Sequence, residues 1–138
     1  MPTPAPGELR GKQWTGWTNW QRKRRHQSSM EVLDALVAEA KSQSPDHWAI
    51  TGDLVNIALN REMQNAADWL RALAPPENTS LVCGNHDAYM PGSLAVAAKL
   101  WEPWLAGDSG ALPKLGNGWK AFDAIYPLVQ RVGAVAFI

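Results

Sequence analysis

Apolar positions in this chain fall into helical stripes and short runs, punctuated by proline and glycine. Over 30–43, Val32, Leu33, Leu36, Val37 and Ala40 recur at helical spacing behind Ser28 or Ser29, either of which suits a helix cap. Ser44-Pro45-Asp46 ends that helix, and the run His47-Trp48-Ala49-Ile50-Thr51 predicts a strand. Asn60 is placed to cap a second helix over 61–73, with Met63, Ala66, Ala67, Leu70 and Leu73 on one face and Pro75-Pro76 as its stop. Residues 79–83 predict a second strand. A third helix is expected over 93–105 through Leu94, Val96, Ala97, Leu100 and Trp104, kinked or shortened by Pro103.

Residues 107–118 are Gly-rich and loop-like, and the end from Ala124 to Ile138 reads as strand, turn, strand around Gln130-Arg131-Val132-Gly133. No internal repeat is visible. This order of elements predicts an α/β domain with a mostly parallel sheet and flanking helices. It reads as a single domain over 1–138 that is a fragment, because no strand precedes the first helix and the last five residues stop in mid-strand. The open edges predict a marginal, aggregation-prone chain.

Composition narrows the class. With 46% hydrophobic and 19% charged residues, the 138-residue chain has the profile of a globular protein with a core. No apolar stretch is long enough for a membrane span, and no signal peptide follows Met1. The lone Cys83 excludes an internal disulfide and fits the reducing cytoplasm; on an apolar strand it reads as a buried, inert thiol.

Net charge is zero, but unevenly spread. Residues 1–30 carry six basic residues against Glu8, a balance of +5, while the rest carries seven basic and twelve acidic residues, a balance of −5. The positive part, 1–29, reads as a Trp-rich basic loop segment in which Trp14, Trp17 and Trp20 precede the run Arg22 to Arg25. Three roles suit it: a lid packed by its tryptophans, recruitment of a phosphate-bearing substrate, or a nucleic-acid or membrane-surface contact. His26 belongs to the basic run and reads as solvated, and His47 reads as an ordinary surface or packing histidine.

The candidate chemistry lies in Gly52-Asp53-Leu54-Val55-Asn56 and Gly84-Asn85-His86-Asp87, each directly after an apolar strand. Open α/β sheets bind ligands at such strand ends. Asp, Asn and His side chains are ligands for divalent metals. Taken singly, Asp53 also suits a helix cap and His86 a turn residue.

Together the two motifs, separated by one helix and one strand, resemble the central pair of the calcineurin-like metallophosphoesterase family, closest to its bacterial cyclic-nucleotide phosphodiesterase-like branch. The resemblance covers Met30 to Met90. It implies part of an α/β/β/α sandwich and a hydrolase that cleaves phosphomono- or phosphodiesters of small molecules at two divalent metal ions, among Mn, Fe, Zn or Mg. Asp53 matches the carboxylate that bridges the metals, Asn85 an amide-oxygen metal ligand, and His86 the imidazole that protonates the leaving oxygen, with Asp87 beside it as its orienting partner.

The family's first block, Asp-x-His, has no counterpart, since no Asp precedes Met30; its late histidines have none either, since no His follows His86. Asp53 and Asn85 are thus two of seven family ligands, too few to hold two metals tightly. Asn56 replaces the Asp of the protein-phosphatase branch. The alternative is an incomplete, non-catalytic metallophosphoesterase-like fragment or binding module.

Overall fold

A computed structural model describes residues 2–24, 29–108 and 129–137. Arg25, His26, the Gly-rich stretch after Asp108 and the start of the C-terminal apolar run lie outside the described residues. The chain forms two compact units, 1–45 and 46–138.

In the first unit, α1 spans Gln13–Asn19 and continues into a π-helical turn over Trp20–Arg24. The expected loop is therefore helical at its centre. Gly16, two threonines and Asn19 are weak helix formers, which hides the helix from a propensity reading. The hydroxyls of Thr15 and Thr18 donate to the carbonyls of Lys12 and Trp14, so these side chains bond within the turn. Three-residue spacing stacks Trp17 on Trp20 at 5.4 Å between ring centres. Helix α2, Met30–Ser42, begins after Ser29 as the pattern predicts, but none of its residues is buried.

The second unit holds β1 (Trp48–Ile50), α3 (Asn60–Leu73), a 3₁₀ turn at Pro76–Asn78 and β2 (Thr79–Leu81). β1 and β2 are adjacent and parallel, with Trp48 opposite Thr79, Ala49 opposite Ser80 and Ile50 opposite Leu81. This is the β–α–β unit expected from the two apolar runs. β2 is buried at all three positions, whereas β1 leaves Ala49 exposed.

Every predicted core residue of α3 is buried: Met63, Ala66, Ala67, Leu70 and Leu73. They join Leu81, Ala97, Trp101, Trp104 and Leu105 in one apolar cluster, except Leu73, which is buried apart from it. The start of α3 differs from expectation. Asn60 is its first residue rather than its cap. The buried Glu62 carboxylate reaches back instead and accepts the backbone N–H groups of Asn56, Ile57 and Leu59 at 3.2, 3.1 and 3.1 Å. Three donors compensate a carboxylate that burial alone would penalise.

The third predicted helix is cut in two, α4 (Ser93–Leu100) and α5 (Glu102–Leu105), broken at Trp101 with φ −110° and ψ 9°. Pro103 has no N–H to give Lys99, and its ring crowds the turn before it, so a continuous helix cannot form. Trp101 uses the break to donate its indole N–H to the Met63 carbonyl, 3.1 Å away, and Trp104 donates to the Ala74 carbonyl at 3.3 Å.

The C-terminal segment is a hairpin, β3 (Gln130–Val132) antiparallel to β4 (Val135–Phe137), turning at Gly133 with φ +58°. The expected turn at 130–133 is in fact the first strand, because the positive φ that a two-residue turn requires falls on the glycine. The strand over Val135–Phe137 is thus paired along one edge, by β3. It also does not extend the parallel sheet: among the described residues the chain is mixed helix and strand with a two-stranded parallel sheet and a two-stranded antiparallel one.

Candidate functional site

Parallel strands leave a sheet at the same end, so the loops after β1 and β2 meet there. The backbone bond from Val82 N–H to the Ile50 carbonyl, 3.0 Å, continues the pairing one step past the strands. Beyond it Gly52 turns at φ +88°. A Cβ there would lie 2.7 Å from the Val82 carbonyl oxygen and 2.8 Å from the Cys83 carbonyl carbon. A Cβ on Gly84 would lie 2.6 Å from the Asp53 nitrogen and 2.8 Å from its Cγ. Each loop therefore needs the other's glycine, since only a bare Cα permits so close a backbone approach.

Asp53 follows in the left-handed region at φ +56°. Its Oδ1 accepts the backbone N–H of His86 at 2.9 Å. Asp tolerates this backbone better than most residues because a short polar side chain can bond locally. Asn85 is exposed in the turn between Gly84 and His86. The structure thus brings the Asp53 and His86 segments into direct contact and places Asn85 in the same turn.

His86 Nδ1 lies 2.5 Å from the Asn56 carbonyl oxygen. A carbonyl only accepts, so Nδ1 carries the hydrogen and the neutral ring has a bare Nε2. Tyr89 stacks against the imidazole, 5.9 Å between centres and 12° between planes. Nε2 is the nitrogen left to accept a proton and to give one up.

Contrary to the expectation from the sequence, the Asp87 carboxylate bonds to backbone amides and not to the His86 ring. Asp87 is fully buried. Its Oδ2 accepts from the Asp53 and Gly84 amides, both at 2.8 Å, and its Oδ1 from the Val55 amide at 3.2 Å. Its own carbonyl accepts from the Ser93 hydroxyl at 2.7 Å. Asp87 is a clasp between the two loops and the start of α4. Burial pushes its carboxyl above the ordinary value and the nearby Asp53 charge adds to this, against the pull of the Gly84, Asp53 and Val55 amides. The Asn56 main-chain carbonyl takes the orienting role; a backbone atom leaves no mark in a residue-type pattern. Glu62 did leave one, as a Glu three residues after the cap.

Among the described residues, no group of three His, Cys, Asp or Glu side chains is arranged to hold a metal ion. Asp87 has both oxygens engaged by amides, whereas Asp53 has its Oδ1 engaged by the His86 amide. This donor set does not fit a two-metal centre by itself. Searches with protein-family models, among curated proteins and among solved structures find no match to the chain.

Proposed function

We propose that this chain is a metallophosphoesterase-like protein whose interlocked loops 52–56 and 84–87 form the phosphoester-facing centre of a hydrolase site. The single observation behind this reading is the contact of the Asp53 carboxylate with the His86 amide at the shared end of two parallel strands. In it, Asp53 and Asn85 are the metal-facing donors, and His86, its Nδ1–H anchored on the Asn56 carbonyl, takes up a proton at Nε2 and passes it from there to the leaving oxygen. Asp53 and Asn85 would hold divalent metals only together with further ligands, and metals so held would supply an activated water. The substrate class is a small-molecule phosphomono- or phosphodiester, and the wider α/β/β/α sandwich belongs to the same proposal.

A second reading is a non-catalytic module with this geometry. The observation that favours it is the full commitment of Asp87 to backbone amides, which makes one of the four residues of the second motif a structural strut.

Hydrolysis of bis(4-nitrophenyl) phosphate with Mn²⁺ separates the readings. The 138-residue chain is expected to show little or no turnover. A chimera supplying an upstream Asp-x-His and a downstream Gly-His-x-His segment is expected to be active. In the chimera Asp53→Ala removes metal binding and rate together. His86→Ala keeps the metals but slows turnover by roughly 10²–10⁴-fold. A chimera that binds metal without hydrolysing supports the module instead. Full family-like rates from the bare chain overturn the ligand-count argument.

A further inference from the structure

The hairpin β3–β4 meets the parallel pair through a short chain of side chains that the loop site does not use. Gln130 is buried, and its amide Nε2 donates to the carbonyls of Glu77 and Pro76 at 2.8 and 3.3 Å. Its Oε1 must then be the atom that faces Ser80; the flipped amide would set oxygen against two carbonyls. Ser80 Oγ lies 2.8 Å from that oxygen and has one hydrogen, which it donates there. His47 Nε2 also lies 2.8 Å from Ser80 Oγ. With the hydroxyl hydrogen already used, Nε2 must carry the hydrogen of that bond. His47 is therefore the Nε2–H tautomer, and Nδ1 is bare. That Nδ1 is buried and has no hydrogen-bond partner among the described residues. Phe137 of β4 stacks over the same ring, 4.5 Å between centres.

We propose that the His47–Ser80–Gln130 chain, with Phe137 stacked on His47, is a proton-operated clasp that holds the β3–β4 hairpin on β2 near neutral pH and releases it when Nδ1 takes up a proton. A proton on Nδ1 places an N–H and a charge where nothing among the described residues accepts either. The way to relieve this is to open the Phe137 side to water. Among the described residues, the elements around the ring give no compensating charge. β2 and β4 contribute no titratable residue, and Arg131 of β3, Asp46, Glu77 and Asp108 make no side-chain hydrogen bond or ion pair with His47. Burial correspondingly lowers the proton affinity of the imidazole. The Asp108 carboxylate accepts the Arg131 amide at 2.9 Å, beside Gln130 at the open end of the hairpin, so the backbone stays tied to Asp108 there while the side-chain contacts of Gln130 and Phe137 to Ser80 and His47 let go.

The test is NMR of the whole chain from pH 7.5 to 5. Long-range ¹H–¹⁵N spectra are expected to show the Nε2–H tautomer of His47 at the upper end; the opposite tautomer overturns the proposal without any variant. On acidification, the His47–Phe137 ring NOE and the slow exchange of the Gln130 side-chain amide are expected to fade together, at the midpoint of the His47 titration. The open population rises by up to about tenfold per pH unit below the ordinary histidine range, while α3 amides stay protected. His47→Gln keeps an N–H for Ser80 and cannot titrate, so its hairpin is expected to stay attached throughout. Attachment of the wild-type hairpin that persists below the His47 midpoint, or its loss in His47→Gln at the same pH, overturns the clasp.

Discussion

Helices α2 and α3 have 13 and 14 residues and each carries an apolar stripe at helical spacing, yet α3 buries six residues and α2 buries none. Leu70 in α3 is fully buried, while Leu36 in α2 is 64% exposed. Periodicity names the face a helix would bury; it carries no information on whether a partner is there. What separates the two is the company they keep. α3 runs between two strands that pair with each other, and short connections on both sides deliver its stripe onto Leu81 and the two tryptophans. Its burial is a product of the β–α–β connection as much as of its own residues.

The sharpest way to break this contrast acts at the loops that hold α3 in place. Gly52→Ala is expected to destabilise by more than about 4 kcal/mol, since it adds a Cβ at positive φ against backbone atoms that cannot move aside. Chemical denaturation monitored by circular dichroism measures it. Leu70→Ala is expected to cost about 2–5 kcal/mol through a cavity in the core. Leu36→Ala in α2 is expected to stay within about 0.5 kcal/mol of the parent. Equal losses from the two leucines would remove the difference between the helices.

Asp87→Asn comes next, at about 2–3 kcal/mol. The amide retains one acceptor oxygen and turns an NH₂ group toward an N–H, leaving at least one buried donor unmet. A pH profile sharpens the same point with a smaller effect. The carboxyl holds its proton more readily in the folded chain than the ordinary value of 3.8. Its stability contribution is therefore fully present below that value and declines as pH rises through the folded value. In Asp87→Asn that part of the slope is expected to vanish in denaturation midpoints taken from pH 3 to 6.

Much of the second unit was legible in the residues. The apolar runs at 47–51 and 79–83 named the parallel pair, and the stripe from Met63 to Leu73 named its buried face. Gly-Asp and Gly-Asn-His-Asp marked the loops that meet. The roles within those loops were less legible. Asp87 looks like a reactive carboxylate by type and neighbourhood, and only three converging amides reveal a strut. The partner of His86 is a main-chain carbonyl, which every residue possesses. α1 was hidden by its threonines and glycine, and the hairpin register was settled by a single positive φ at Gly133, not by the apolar pattern around it.

The indole bonds of Trp101 and Trp104 have a mechanical consequence. They grip α3 near its two ends, at the Met63 and Ala74 carbonyls, from side chains only three residues apart. Sliding α3 along its axis by one turn, about 5.4 Å, would break both at once. The helix is indexed like a bolt seated in two notches. The chain entering it from Asn56 and leaving it toward Thr79 is therefore held at fixed spacing. Any movement available to the strand-end loops must be rotation or local bending, because axial shear of the helix between them is barred.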